Sequence, residues 1–162
     1  MQLAAAFFNE VLESENKTAI VLGATSGDTG SAAIDACKGY KRIKSFIMLP
    51  NGNMSEVQRR QMSTIDANNV FVLRINGTFD DCQDMVKALF ADEEFRDAHN
   101  LSAVNSINWA RIMAQIVYYF WTGVSLGAPD QKFIYAVPTG NFGNVYAGYA
   151  AKKMGLPVEK LI

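Results

Sequence analysis

Thr18-Ala19-Ile20-Val21-Leu22-Gly23 runs directly into Ala24-Thr25-Ser26-Gly27-Asp28-Thr29-Gly30. The first six residues are the short apolar, β-branched run of a strand buried on both faces. The next seven are small and hydroxylated, and they open onto a helix expected from about Asp28 to Lys38. The same order recurs downstream. Lys44 to Leu49 reads as a second strand, ended by Pro50-Asn51-Gly52-Asn53, and Ser55 caps a helix through about Ile65. Val70 to Ile75 reads as a third strand. Thr78-Phe79-Asp80-Asp81 then opens a helix as a capping box with acids in its first turn. Leu101 to Asn105 is a shorter extended piece before a long helix from about Ile107. Lys132 to Val137 is a last strand, running through a Gly-rich turn into a helix that ends near Met154-Gly155. This alternation specifies an α/β fold, an open parallel sheet with helices on both faces. Residues 18–106 are expected to form a compact four-stranded unit, and 1–17 with 107–162 a second, incomplete layer.

The 162 residues are the size of one ordinary domain, long enough to bury a core without a staple. Hydrophobic residues at 49% against 19% charged exclude a disordered tail. Fifteen basic residues against sixteen acidic leave a net charge of −1, so no basic excess exists to neutralise a nucleic-acid backbone. Cys37 and Cys82 are far apart in sequence and read as small core residues, without a disulfide framework or a metal site. The expected setting is reduced and cytoplasmic.

The most apolar stretch, Ile112 to Leu126, is broken by Gln115, Thr122 and Ser125 and headed by Arg111. It falls short of the roughly 20 residues of a membrane span, and a helix buried on most sides is the expectation. Met1 to Leu12 reads as an amphipathic helix with no capping residue before it, and residues 155–162 stop where a strand begins. Both ends are expected to be cut from a longer protein. The first helix and those after Asn105 would then present apolar faces, with self-association as the consequence.

Two strand–turn–helix junctions carry most of the chemistry. At Gly23–Gly30 the glycines let the backbone approach a ligand, Thr25, Ser26 and Thr29 add hydroxyls, and the helix start points N–H groups and a positive dipole end outward. That suits a carboxylate or a phosphate; equally, Ser26 or Asp28 can simply cap the helix. At Pro138-Thr139-Gly140-Asn141-Phe142-Gly143-Asn144, successive N–H groups can wrap a phosphate. Neither turn has the G-x-G-x-x-G spacing of a dinucleotide site or the Gly-Lys-Ser/Thr ending of a P-loop, which disfavours NAD and ATP. A third element, Asn105-Ser106-Ile107-Asn108-Trp109-Ala110-Arg111, sets an amide and a hydroxyl at a helix start and a guanidinium one turn in. Arg111 can bind a phosphate bidentately, or it can be solvated while Ser106 or Asn108 caps the helix. His99, in a polar stretch, reads as a solvated surface residue. Asp80 and Asp81 read as capping acids, and Arg59-Arg60 as a solvated helix face.

Five motifs in one order, GATSGDTGSAA at 23–33, QRRQM at 58–62, GTFDDCQ at 77–83, NSINWARI at 105–112 and PTGNFGN at 138–144, resemble the threonine synthase family. These are pyridoxal-phosphate enzymes of the tryptophan-synthase-β structural group, fold type II, and the resemblance covers essentially the whole chain. In the wider group the first loop often has Asn where Asp28 stands, so Asp28 favours threonine synthases over dehydratases. The resemblance implies that Gly140, Asn141, Phe142, Gly143 and Asn144 hold the phosphate of pyridoxal 5′-phosphate. It implies that Thr25, Ser26, Gly27, Asp28 and Thr29 receive the substrate beside the cofactor ring. It implies that Asn105, Ser106 and Arg111 bind the phosphate of O-phosphohomoserine, which the family converts with water to threonine and phosphate. The family's Schiff-base lysine lies in a Ser/Ala-Phe-Lys-Asp segment expected upstream of Met1, so the resemblance places no catalytic lysine and no metal in this chain. By the same resemblance 18–106 is the smaller domain, and 1–17 with 107–162 a portion of the larger, cofactor-binding one. A related phospho-lyase or dehydratase, a catalytically dead phosphometabolite-binding homologue and a plain flavodoxin-like module remain the alternatives on sequence grounds.

Overall fold

Strand periodicity accounts for the first sheet. The computed structural model describes residues 1–25, 27–52, 55–104, 108–140 and 142–162. Helix α1 spans Gln2–Ser14, strand β1 Ala19–Ala24, helix α2 Asp28–Cys37, and strand β2 Ile43–Pro50. Helix α3 (Glu56–Ser63), strand β3 (Val70–Ile75), helices α4 (Phe79–Ala91) and α5 (Glu93–Ala98) and the short strand β4 (Ser102–Ala103) complete a four-stranded parallel sheet of order β3-β2-β1-β4. The register runs Ala19↔Ile43 to Ala24↔Met48 and Ser45↔Val70 to Pro50↔Ile75. Side chains alternate across a strand. Ile43, Ile47 and Leu49 therefore pack with α1, α2 and α3 through Leu12, Cys37, Ala33, Ile34 and Met62. Met48, with Phe46 beside it, faces the opposite way and packs with Leu22 and Cys82, Val86 and Leu89 of α4. Ile34, Ile43 and Ile47 are essentially inaccessible, each worth about 1.5–3 kcal/mol of burial.

Local signals set the helix starts. Ser55 accepts from the Gln58 N–H. Thr78 and Asp81 form the reciprocal capping box at α4, with the Thr78 N–H donating to Asp81 Oδ2 at 2.6 Å. Arg59 and Arg60 both bond Glu56, so the pair of arginines is engaged on α3's own surface. His99 is exposed, with its ring on Phe95. Cys37 and Cys82 are buried and free, and burial raises both thiols above their usual pKa.

The chain divides into two compact units, Met1–Asn105 and Ser106–Ile162. Helix α1 lies in the first. This differs from the sequence expectation, which groups 1–17 with 107–162. The reason is packing: Leu12 and Phe8 join the cluster of Ala19, Val21, Cys37 and Ile43, and buried Asn9 accepts from the Arg42 N–H.

The second unit contains helix α6 (Trp109–Ser125), strand β5 (Phe133–Tyr135), helix α7 (Gly143–Lys153) and strand β6 (Val158–Leu161), with β5 and β6 paired in parallel. Its core is Ile112, Ile116, Tyr119, Val137, Ala147, Ala151, Leu156 and Val158. Gly148 and Gly123 let the pieces close, since a Cβ at Gly148 would stand 2.8 Å from the Tyr119 ring. Helix α6 is buried on one face only, which corrects the expectation of burial on most sides. Val117, Trp121 and Val124 are exposed, because α6 is apolar nearly all round and α7 and its neighbours cover one stripe of it. Among the described residues no helix is long and apolar enough to cross a membrane.

Candidate functional site

In the first unit the turn after β1 is built around Thr25, which is buried. Its Oγ1 accepts from the N–H groups of Gly27 (3.2 Å) and Gly30 (3.1 Å) and lies 3.1 Å from the Gly27 carbonyl, to which it donates. The Thr25 N–H bonds the Met48 carbonyl at 2.9 Å, tying the turn to β2. Thr25 therefore shapes the loop rather than offering its hydroxyl to a ligand, a role that sequence alone does not disclose. Ser26, its neighbour in the expected site, lies outside the described residues.

Helix α2 begins at Asp28 with Gly27 as N-cap, and Thr25 Oγ1, by accepting from the Gly30 N–H, caps its third residue from the preceding turn. Its first turn carries the helix's positive end, which favours a negative group. Asp28 supplies one such charge from within the turn, and its Oδ1 accepts from Gln58 Nε2 of α3 at 3.1 Å. Sequence gives Gln58 a place in a motif but no role, because 30 residues separate it from its partner. Thr29 occupies the same first turn.

In the second unit the loop after β5 ends at the start of α7. Phe142 is the N-cap and has φ 61°, a left-handed conformation that is a genuine outlier for a bulky residue. The Phe142 side chain makes no capping bond, no acid sits in the first turn of α7, and Lys152 and Lys153 close its last. Gly140 faces open space, with nothing within 4 Å of where a Cβ would be. An eleven-residue helix with an approachable backbone before it and no carboxylate in its first turn suits a phosphate dianion. Asn141 lies outside the described residues.

The second loop is fixed from α6. The Tyr119 hydroxyl is 3.0 Å from both the main-chain and the side-chain oxygen of Asn144. Tyr135 in turn donates to the Tyr119 carbonyl at 2.9 Å, and the two rings meet edge to face. Burial pushes both phenols above their usual pKa, which keeps the hydroxyls protonated as donors. Asn144 thus spends its side chain on holding the loop. At the head of α6, Asn108 caps the helix by accepting from the Ala110 N–H at 2.9 Å. Arg111 is half-buried, and burial draws its pKa below the usual value while leaving it a cation. Asn105 and Ser106 lie outside the described residues. Four residues on from Arg111, and four before Tyr119, Gln115 has a buried Oε1 with no hydrogen-bond partner. The spacing puts all three on one stripe of α6.

Both loops follow the carboxyl ends of parallel strands and lead directly into helix starts. This is the position at which open α/β sheets take ligands. Residues 2–162 match the family described as "Pyridoxal-phosphate dependent enzyme". The chain belongs to that family. The match covers both loops, and the start of α7, with no acid in its first turn, fits the phosphate of the family's cofactor, pyridoxal 5′-phosphate.

Among members of the family, the threonine synthase of Pseudomonas aeruginosa is 54% identical over 162 residues, all of this chain and 34% of that protein. The threonine synthase of Saccharomyces cerevisiae is 54% identical over 151 residues, 92% of this chain and 29% of that protein. Among solved structures, the PLP-bound threonine synthase from Brucella melitensis superposes with a TM-score of 0.87 at 56% identity, covering 99% of this chain and 34% of that one. The threonine synthase from Escherichia coli gives 0.81 at 38% identity, covering 97% of this chain and 37% of that one. The chain spans about a third of the length of the curated relatives it matches. A pyridoxal 5′-phosphate-dependent aspartate racemase at 17% identity and a TM-score of 0.61 shares the fold alone.

Proposed function

We propose that this chain is the central part of a threonine synthase, a lyase of amino-acid biosynthesis that converts O-phosphohomoserine and water to threonine and inorganic phosphate. The observation that carries the reading is identity with threonine synthases over the whole chain, joined by a start of α7 that has no acid in its first turn and suits an anion. Pyridoxal 5′-phosphate supplies the electron sink for the chemistry at the substrate's carbon atoms.

The residues divide by task. Gly140, Asn141, Phe142, Gly143 and Asn144 hold the cofactor phosphate at the start of α7, with Tyr119 fixing Asn144 from behind. The backbone of Ser26, Gly27, Asp28 and Thr29 receives the substrate at the start of α2, and Thr25 keeps that backbone in shape. Asn105, Ser106 and Arg111 take the substrate's phosphate, Arg111 through charge-assisted bonds. Residues 18–106 form the smaller domain and 107–162 a portion of the larger one; in this chain α1 packs with the smaller. The lysine that carries the cofactor lies upstream of Met1, so the chain by itself is inactive. The whole protein works in the cytoplasm on a small molecule, without nucleic acid or membrane.

The test is direct. The full-length protein that contains this sequence is incubated with O-phosphohomoserine, and released phosphate and threonine are measured in equal amounts. Phosphate release with a different amino-acid product would instead identify a related phospho-lyase, and no release would overturn the reading. The isolated chain is incubated with pyridoxal phosphate, reduced with borohydride and mapped by peptide mass. Scattered, substoichiometric labelling is expected; one stoichiometric lysine would overturn the placement of the catalytic lysine.

A further inference from the structure

The start of α2 is held by a side chain that belongs to neither the turn nor the helix. Gln58 is in the first turn of α3, and its own N–H is the one that Ser55 caps at 3.2 Å. Its side-chain Nε2 reaches Asp28 Oδ1 at 3.1 Å. The same Nε2 lies 3.3 Å from where a Cβ on Gly27 would stand, so the amide lies along the first residues of α2 and leaves no slack for a larger residue there. A carboxylate only accepts hydrogen bonds, and an amide is the neutral donor that can meet it without adding charge beside an anion-binding turn. The neighbouring cations are committed elsewhere: Arg59 and Arg60 both bond Glu56. Among the described residues Asp28 forms no salt bridge, and Gln58 is the side chain that orients it.

We propose that Gln58 is a positioning residue for substrate binding: its amide fixes Asp28 and thereby sets the direction of the backbone N–H groups at the start of α2. The proposal rests on the reading that this turn receives the substrate. Gln58 acts through Asp28 and does not itself touch the reacting atoms. Helix α3 does not depend on the contact, because the Ser55 cap, the Glu56–Arg59 and Glu56–Arg60 pairs and buried Met62 hold it independently.

The experiment uses the full-length protein and two variants. Gln58→Met removes the donor at similar length. Gln58→Glu sets a second carboxylate against Asp28, so that the bond is lost and like-charge repulsion replaces it at neutral pH. For Gln58→Met, KM for O-phosphohomoserine is expected to rise about three- to tenfold at every pH, with kcat changed much less. For Gln58→Glu, KM is expected to rise about tenfold or more at neutral pH, beyond the rise in Gln58→Met, because repulsion is added to the lost bond. Hydrogen exchange gives a readout that needs no substrate: amides of residues 28–31 are expected to exchange faster in both variants at neutral pH, with 56–63 unchanged.

If wild type does not turn over O-phosphohomoserine, the functional reading fails, and exchange at 28–31 still decides the contact. Unchanged KM and unchanged exchange in both variants would overturn the proposal. So would faster exchange spread over 56–63, which would make Gln58 a support of α3, or faster exchange at 28–31 with no change in KM.

Discussion

A Cβ at Gly30 would stand 2.2 Å from Cγ2 of Thr25, so the glycine at the third position of α2 exists to make room for the threonine that shapes the turn before it. The Gly30 N–H bonds that threonine's hydroxyl at 3.1 Å, and the two residues form one unit. Gly30→Ala forces Thr25 out of its site. The expected cost to the chain is about 1–3 kcal/mol from overpacking, plus loss of the turn. Thr25→Val keeps the shape and removes the hydroxyl, leaving the Gly27 N–H to find another partner and the Gly30 N–H with the Gly27 carbonyl alone, at about 1–3 kcal/mol. Urea unfolding of both variants measures this. Thr25→Val at wild-type stability would show that the hydroxyl does not hold the loop.

Tyr119 couples the core of the second unit to its loop. Tyr119→Phe leaves the packing against Gly148 in place and deletes the bond to Asn144. In the full-length protein the expected effect is weaker cofactor retention, about two- to tenfold, corresponding to a net hydrogen bond of about 0.5–1.5 kcal/mol. Equilibrium dialysis against pyridoxal phosphate reads it. Retention equal to wild type would show that Asn144 needs no support from α6.

The same phenols set a pH limit. Burial raises the pKa of Tyr119 and Tyr135 above the ordinary value near 10. Between the unfolded and the folded pKa the unfolded chain has lost a proton that the folded chain retains, so stability falls as pH rises. The contribution is fully present below the unfolded value and is lost as pH climbs through the folded one. Denaturation midpoints from neutral pH upward should decline above about pH 10. The Tyr119→Phe and Tyr135→Phe variants should each decline less, and parallel slopes would remove these residues from the effect.

How much of this is legible depends on distance along the chain. Strands β1 to β3 and helices α2 to α4 are announced by apolar runs and by the caps Ser55 and Thr78, whose partners lie three residues away. Their boundaries in the structure sit within about two residues of the sequence reading. The break at Asp92 that separates α5 from α4 is absent from that reading, although Asp92 caps α5 by the same local rule. Contacts across 25 to 33 residues are invisible: Tyr119 on Asn144, Gln58 on Asp28 and Gln2 on Asp35. Asn69, which donates to the carbonyls of Cys37, Tyr40 and Ile43 and accepts from the Gly39 N–H, gives no signal at all. An asparagine beside a strand start looks like any loop residue until the turn it serves is folded against it. The glycine-rich turns before both helix starts are legible because their glycines are local facts.

The exposed face of α6 carries a prediction about the isolated chain. Trp121 and Val117 are 75% and 60% exposed, and with Trp109, Met113, Tyr146 and Met154 they line an apolar groove along α6 and α7 of about 850 Å³. Contiguous apolar surface of this kind drives association. Light scattering over a concentration series should show the chain self-associating, and Val117→Glu with Trp121→Glu should shift it toward monomer. A wild-type chain that stays monomeric throughout would show that this face does not pair with a second copy.

We propose that substrate choice turns on Arg111. It sits one turn into α6 beyond the Asn108 cap, half-buried and still a cation, on the stripe that leads through Gln115 to Tyr119. A guanidinium there can meet a phosphate with two parallel bonds, which an ammonium cannot. In the full-length protein Arg111→Ala should raise KM for O-phosphohomoserine by roughly tenfold or more, as expected for a charge-assisted contact of about 1.5–3 kcal/mol. The cofactor's absorbance should remain close to wild type, because the cofactor phosphate is assigned to the start of α7 and not to this side chain. Arg111→Lys should recover only part of the loss, since it restores the charge without the fork. Steady-state kinetics and absorbance spectra on the same preparations separate the two sites. Unchanged KM and kcat would remove Arg111 from the substrate site; loss of the cofactor spectrum would move it to the cofactor's.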